Sequence, residues 1–316
     1  MQSLSTVQEM PATPEEARPH APMPTATTNA ATETWCTRGS MRLRVVHFRA
    51  PRKRGPQKGS RSSRVKVATW NVNGIRARES QFVEWVRRDR PDVVCLQEIK
   101  ATPEQLGESL TLLPEYWNYW HGGPKGYSGV SLHLRKEMFP ARPAFAHPEF
   151  DVENRVVYAR LESAGTVVAS VYVPNGGKDY PAKLRFLEAM RGYVEGVHAA
   201  GEKLILCGDL NVARADIDVH VKERKAGAVG QRPDEREIFE RVLACDLADV
   251  GRTLDPTNDA LFTWWPPWRS MRQKNQGWRI DYVLMSTHRG LTATECKVLA
   301  DVGTSDHAPV VAVVET

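Results

Sequence analysis

From Val65 onward the chain alternates short apolar runs with longer stretches whose apolar residues recur every three or four positions. The runs predict strands at 65–70, 92–97, 129–134, 155–162, 166–173, 204–208, 261–265, 280–286, 294–300 and 308–314. Several are apolar throughout, as in strands covered on both faces, whereas 155–162 alternates. Helical spacing groups Phe82, Trp85 and Val86 over 81–89, and Leu184, Leu187, Met190, Val194 and Val197 over 181–199, ahead of Gly201. Another helix starts at Pro233 with Ile238, Phe239, Val242 and Leu243 on one face. One more is predicted to open at Thr102-Pro103-Glu104-Gln105, where Gln three residues after Thr suits a capping box and Pro suits the first helical position. Apolar helix faces need sheet faces to cover. So many strands predict two stacked sheets with helices outside, in one domain of about 250 residues.

Upstream the pattern is lost. Residues 1–40 are rich in Pro, Thr, Ala and Ser without period, a composition that buries too little to offset chain entropy. Residues 42–64 carry nine Lys/Arg and no acid. The expected division is therefore a disordered, basic N-terminal extension over 1–64 and a folded domain over 65–316. The basic run is read as a solvated linker or as a nucleic-acid or localisation segment. The whole chain has a formal charge of +5, but residues 1–64 hold 11 Lys/Arg against 4 Asp/Glu, which leaves 32 against 34 for the domain. A near-neutral domain can attract an acidic polymer only through a local basic rim. Five cysteines show no zinc-finger spacing, and Cys95 and Cys207 lie inside apolar runs, where a thiol packs as a small hydrophobe. A reducing, intracellular compartment and no membrane span are expected.

The chemistry sits at the ends of the predicted strands. Trp70-Asn71-Val72-Asn73-Gly74 places two amides on the same side of an extended segment, and Leu96-Gln97-Glu98 puts a carboxylate at a strand tip. Such a carboxylate must be solvated, paired (Lys100 is near) or bound to a hard cation. Gly208-Asp209-Leu210-Asn211 aims an acid and an amide the same way, suited to taking a proton from water and donating to a phosphate oxygen. Ser305-Asp306-His307 brings an imidazole, for which Asp281 in Trp278-Arg279-Ile280-Asp281-Tyr282 is a candidate orienting carboxylate. Tyr172 leads into Tyr172-Val173-Pro174-Asn175-Gly176-Gly177, whose backbone N–H groups offer an anion site. Taken singly, each motif also has a reading as turn, cap, ion pair or core, and only the Asp209/Asn211 spacing favours function by itself; together they converge on one edge and point to phosphodiester hydrolysis. Phe262-Thr263-Trp264-Trp265-Pro266-Pro267-Trp268-Arg269, with Arg272, Lys274 and Trp278 beyond, interleaves aromatics with bases as a stacking wall for a sugar or base.

These blocks resemble the exonuclease III type of apurinic/apyrimidinic (AP) endonuclease, within the endonuclease/exonuclease/phosphatase superfamily, from about Val65 to the C-terminus. The resemblance implies a four-layer α/β/β/α sandwich of two packed mixed sheets flanked by helices. It implies hydrolysis of the phosphodiester 5′ to an abasic site in double-stranded DNA, leaving a 3′-hydroxyl and a 5′-deoxyribose phosphate, with 3′-5′ exonuclease or 3′-phosphodiesterase activity on blocked 3′ ends. Glu98 would bind Mg2+ (or Mn2+) with Asn71, Asn73 and Asp306 near it, in a metal-side set that also takes in Asp209, Asn211 and His307. Asp209 would activate water, Asn211 would steady the phosphorane, His307 oriented by Asp281 would contact the phosphate, and Tyr172 would polarise it or assist the leaving group. Trp264, Trp278 and Ile280 match the positions that wall a flipped-out abasic sugar, and Asn175, Lys178, Trp268 and Arg269 belong with the DNA contacts. A monomer is expected, cytoplasmic and nucleoid-associated, or nuclear in a eukaryotic source.

The chain departs from the resemblance over Val219–Ala228, which lacks the asparagines that many relatives use near the phosphate. Lys178 and Trp268 stand at positions that vary among relatives. Two other readings compete: a phosphatase of the same fold for inositol or lipid headgroups, and a DNA-binding relative without catalysis. The aromatic loop speaks against the first, and the joint presence of Glu98 and His307 against the second.

Overall fold

The structure is a computed structural model that describes residues 64–123, 126–161, 164–287 and 290–315. The proposed extension lies outside the described residues except for Arg64, which opens the first strand one position ahead of the expected boundary. The strands are β1 (Arg64–Asn71), β2 (Val93–Gln97), β3 (Tyr116–His121), β4 (Val130–Arg135), β5 (Ala144–Ala146), β6 (Val156–Leu161), β7 (Thr166–Tyr172), β8 (Lys203–Asp209), β9 (Leu247–Asp249), β10 (Asp281–Ser286), β11 (Thr292–Val298) and β12 (Val310–Glu315). The helices are α1 (Glu79–Asp89), α2 (Glu108–Thr111), α3 (Tyr180–Ala199), α4 (Pro233–Leu243) and α5 (Val250–Leu254). One sheet runs β11-β12-β1-β2-β4-β3 and the other β5-β6-β7-β8-β10-β9.

Strand period fixes the layers. On β1, Val65 and Val67 face the space between the sheets, while Ala68 and Trp70 face α1. On β8, Ile205 and Cys207 point into that same space and Leu204 and Leu206 point to the opposite face. There they meet Leu187, Met190 and Val194 of α3 and Phe239 and Val242 of α4. Both faces of each sheet are thus covered, which explains why these strands read as continuous apolar runs. The outcome is the expected α/β/β/α sandwich. Cys95 and Cys207 meet in its middle layer, where burial pushes the Cys207 thiol well above its usual range.

Two expectations are corrected. Residues 261–265 are not a ladder strand: Trp264 makes only isolated bridges to Trp278 and His307. Phe262 and Trp265 sink into a small cluster with Met271 and Ala308, and Pro266-Pro267 bars continued pairing. At Thr102 the structure has one 3-10 turn, Pro103–Gln105, with Gln105 Oε1 accepting from the Thr102 amide at 3.1 Å, before α2 starts afresh. Strands β3, β5 and β9 were not anticipated. β5 and β9 have three residues each, too few to show a period, and β3 is an aromatic edge strand that is mostly half-buried.

The register gathers the site. β1 and β2 are parallel, as are β7 and β8, so Asn71, Glu98, Tyr172 and Asp209 all lie at or just past carboxyl ends. β10 and β12 run antiparallel to these neighbours, so Asp281, paired with Asp209, and the segment ahead of Val310 enter at the same rim.

Candidate active site

Contacts between the two sheets close the rim. The Asn71 amide nitrogen donates to Asp209 Oδ2 at 2.8 Å and to Glu98 Oε1 at 3.2 Å. Tyr172, from the other sheet, donates its hydroxyl to the same Glu98 oxygen at 2.5 Å. Lys100 Nζ lies 2.7 Å from Glu98 Oε2 and 2.6 Å from Asn73 Oδ1. Burial works against the charge on Glu98, but Lys100 and Tyr172 outweigh it and hold the carboxylate below its usual range. Asn73 Nδ2 donates to Asp306 Oδ1 at 2.9 Å, and Trp264 Nε1 to Asp306 Oδ2 at 3.0 Å. Asn73, Glu98 and Asn211 all adopt left-handed backbone angles, with φ of 44°, 50° and 52°. That conformation is uncommon outside glycine and recurs where a site dictates the backbone.

Asp209 is buried at the end of β8. Its Oδ1 accepts from the Asn211 amide N–H at 2.9 Å, and its Oδ2 accepts from Asn211 Nδ2 at 3.3 Å. Asn211 Nδ2 also donates to the Val173 carbonyl at 2.9 Å, and its Oδ1 accepts from Asn175 Nδ2 at 3.3 Å. Burial and then the charge of Asp281 push Asp209 up to about 7, against the pull of His307 and the Asn71 hydrogen bond. A carboxylate poised there can take a proton near neutral pH.

His307 joins the two acids. Its Nδ1 donates to Asp281 Oδ2 at 2.9 Å, and its Nε2 lies 3.9 Å from Asp209 Oδ2. Burial disfavours the imidazolium, but Asp281 and Asp209 outweigh burial and raise it to about 10. Thr263 fixes Asp281 in turn, donating its hydroxyl at 2.6 Å while accepting from the backbone N–H of Ile280 and Asp281. Burial, Glu98 and Asp209 push the Tyr172 phenol well above its usual range, so it stays protonated and acts as a donor.

Beside His307, the rings of Trp264 and Trp278 meet edge to face at 5.5 Å, and Ile280 packs with them. Trp268, 57% exposed, lines a cavity of about 370 Å3 together with Asn73 and Asp306. Lys178 and Arg269 are exposed on the surrounding loops and are not drawn into this network. One basic residue of the aromatic loop is spent elsewhere. Arg272 donates to the carbonyls of Ala300, Ser305 and Val302 and lies over the Trp265 ring, so it braces the loop that carries Asp306 and His307. In the departing segment, Val219 pairs with Trp278, whereas Lys222 and Arg224–Gly227 face solvent.

Three supports escaped the sequence reading. Thr263 sat inside an expected strand. Arg155, whose guanidinium lies 4.6 Å over the Tyr172 ring, carried no local motif. Ser305 was visible beside Asp306-His307 and proves to be the clamp that donates to the Asn71 carbonyl at 2.7 Å and accepts from the His307 amide.

Comparison with known proteins matches residues 68–307 to the endonuclease/exonuclease/phosphatase family. The chain belongs to that family. It is 33% identical over 273 residues to a DNA repair nuclease (APEX1) of Danio rerio, covering 84% of this chain and 87% of the relative. It is 34% identical over 257 residues to an exodeoxyribonuclease of Bacillus subtilis, covering 78% and 98%. The structure matches an AP endonuclease from Archaeoglobus fulgidus with a TM-score of 0.68 at 28% identity, covering 78% of this chain and 98% of that one. A 3′-5′ exonuclease from Neisseria meningitidis matches with a TM-score of 0.70 at 29% identity and the same coverage. Within the endonuclease/exonuclease/phosphatase family, these relatives place the chain with the exonuclease III type of AP endonuclease.

The family rim here fits a hard divalent cation. Glu98, Asn73 and Asp306 present oxygen donors only, and the Lys100 ammonium already rests against two of those oxygens. A second group, Asp209, Asp281 and His307, has ligand atoms within 4.8 Å of one another, but there the imidazolium itself balances the acids. Away from the rim, His121, His147 and Asp151 also cluster. The two rings stack at 3.7 Å, His121 Nε2 meets Asp151 at 2.6 Å, and His147 is engaged by Tyr119 and the Val156 carbonyl. That group clamps the ends of β3 and β5 together.

Proposed function

We propose that the chain is a metal-dependent DNA repair nuclease that hydrolyses the phosphodiester 5′ to abasic sites in double-stranded DNA, leaving a 3′-hydroxyl and a 5′-deoxyribose phosphate. The same centre would process blocked 3′ ends by 3′-5′ exonuclease or 3′-phosphodiesterase action. The observation that carries this reading is the chain Thr263–Asp281–His307–Asp209, with an imidazolium between two buried carboxylates beside a wall of Trp264 and Trp278.

In this reading Asp209 takes a proton from the attacking water, whose oxygen bonds to phosphorus as the P–O3′ bond breaks. The 3′-oxygen leaves with the bonding pair and gains a proton from solvent. Asn211 and the His307 imidazolium donate to the phosphate oxygens as charge accumulates, where fixed donors stabilise most. Asp281 keeps His307 charged and turned toward the phosphate. Tyr172 holds Glu98 by its hydroxyl. Glu98, Asn73 and Asp306 would hold Mg2+ or Mn2+, with Asn71 beside them donating to Glu98; the ion supplies Lewis-acid neutralisation of phosphate charge when bound. Trp264, Trp278 and Ile280 would wall the extruded sugar, which costs less to extrude when no base must be unpaired. Asn175, Lys178, Trp268 and Arg269 would grip the flanking backbone. The reading includes a monomer working on the nucleoid, or in the nucleus of a eukaryotic source.

The test is a labelled duplex carrying one tetrahydrofuran abasic analogue, set beside an intact duplex and a soluble inositol phosphate. Metal-dependent nicking immediately 5′ to the analogue is expected. Phosphate release from inositol phosphate without nicking would assign the fold to headgroup chemistry, and tight binding without cleavage would make it a binder.

A further inference from the structure

A buried ion pair lies behind the phosphate-facing side of this site. Lys183 of α3 and Glu235 of α4 are each 0% exposed, with Nζ 2.5 Å from Glu235 Oε2. The ammonium also donates, at 2.7 Å, to the backbone carbonyl of Asn211. Glu235 Oε1 accepts from the backbone N–H of Gly230 at 2.5 Å and of Arg232 at 2.9 Å. Through Gly230 the pair reaches the aromatic wall: this residue has a φ of 93°, and a Cβ there would sit 2.8 Å from the Trp278 ring. The lysine stem passes under Gly176, next to Asn175, where a Cβ would sit 2.8 Å from Lys183 Cδ. Three loops around the site thus share one buried pair of charges.

Helix packing alone does not call for this arrangement. Burying two charges is expensive, and well-packed apolar side chains of similar volume are often as stable or more so. Burial pulls the Lys183 ammonium below its usual range, and Glu235 and Asp209 oppose that shift. What the ammonium adds is a fixed direction for the Asn211 carbonyl, in a residue held at left-handed φ whose side-chain amide touches Asp209. We propose that Lys183 and Glu235 are positioning residues that set Asn211, and with it the Asn175 and Gly230 loops, at the angle needed to meet the phosphate. This rests on the hydrolase reading above.

The experiment compares single-turnover cleavage of the abasic duplex by the full-length wild type, Lys183→Met, the double variant Lys183→Met/Glu235→Gln, and each of these in an Asn211→Ala background. Lys183→Met strands a buried carboxylate and is expected to melt earlier. The double variant removes both charges and is expected to melt near the wild type. Its cleavage rate should fall on the order of 10²-fold, the usual cost of misplacing a group by about 1 Å, with little change in KM. In the Asn211→Ala background the same pair of changes should cost much less, because only the Asn175 and Gly230 loops then remain to be displaced. A double variant that cleaves at the wild-type rate would overturn the proposal, as would a loss that multiplies with that of Asn211→Ala. A wild type that does not cleave would sink the hydrolase reading instead.

Discussion

Asp209 and His307 carry opposite protonation requirements, and the structure sets both. Burial and Asp281 raise Asp209 to about 7, so the base is lost as pH falls through that value. Asp281 and Asp209 raise His307 to about 10, so the charged donor is lost above it. Under saturating substrate the cleavage rate should therefore climb through about pH 7 and decline toward pH 10, with the two limbs belonging to the coupled set rather than to single residues. Thr263→Val, which removes a hydroxyl from Asp281, should shift the alkaline limb. Asp209→Asn keeps the volume but cannot accept the proton, and should lower the rate roughly 10²–10⁴-fold. A variant that cleaves at the wild-type rate would remove Asp209 from the reaction.

At the scale of elements, the loop 300–307 is braced by the guanidinium of Arg272 together with the Ser305 clamp and a lone bridge to Trp264 rather than by a ladder. Arg272→Met deletes donors to at least three carbonyls, and hydrogen bonds to charged groups are worth about 1.5–3 kcal/mol each. Arg272 is only half-buried, so water replaces part of each bond and each counts for about 1 kcal/mol; the expected loss is on the order of 2–4 kcal/mol in a urea titration, together with slower cleavage, because Asp306 and His307 ride on that loop. Unchanged stability would mean that the loop holds itself. Arg272 also marks the limit of what was legible in the sequence. Strand tips such as Leu96-Gln97-Glu98 and Gly208-Asp209-Leu210-Asn211 declare themselves, since an acid ending an apolar run is conspicuous. Helices α1, α3 and α4 follow from apolar spacing alone. A base within an aromatic loop has no period to say whether it faces solvent or its own backbone carbonyls. Lys183 is equally silent, because its partners lie 28 and 52 positions away in the chain. Edge strands β5 and β9 are too short to carry a pattern.

For the whole molecule, charge sets the N-terminal 63 residues apart from the rest of the chain. Deleting residues 1–63 removes ten Lys/Arg and four Asp/Glu. Binding to undamaged duplex should then depend less steeply on salt, by about 0.9 in the logarithmic slope for each phosphate that the extension had neutralised, while the cleavage rate at saturating substrate stays the same. An identical slope would show that the extension does not touch DNA. The domain has its own pH signature. His307 is raised in the folded state, so its stabilising contribution is complete below the ordinary imidazole value of about 6.5 and disappears as pH rises through about 10. The difference in urea midpoint between wild type and His307→Asn should shrink across that interval, and a constant difference would contradict the buried Asp281–His307–Asp209 arrangement.

The most direct measurement is a double-mutant cycle between the sheets, using Glu98→Gln, Asp209→Asn and the pair, read by single-turnover nicking of an abasic duplex with Mg2+ and with chelator. If the two rims form one centre, the paired variant should be about as slow as the slower single variant, because groups that act as a unit lose their effect together. Rate losses that multiply, or cleavage that persists in chelator, would mean that the carboxylates of the two sheets do not serve one metal-dependent reaction.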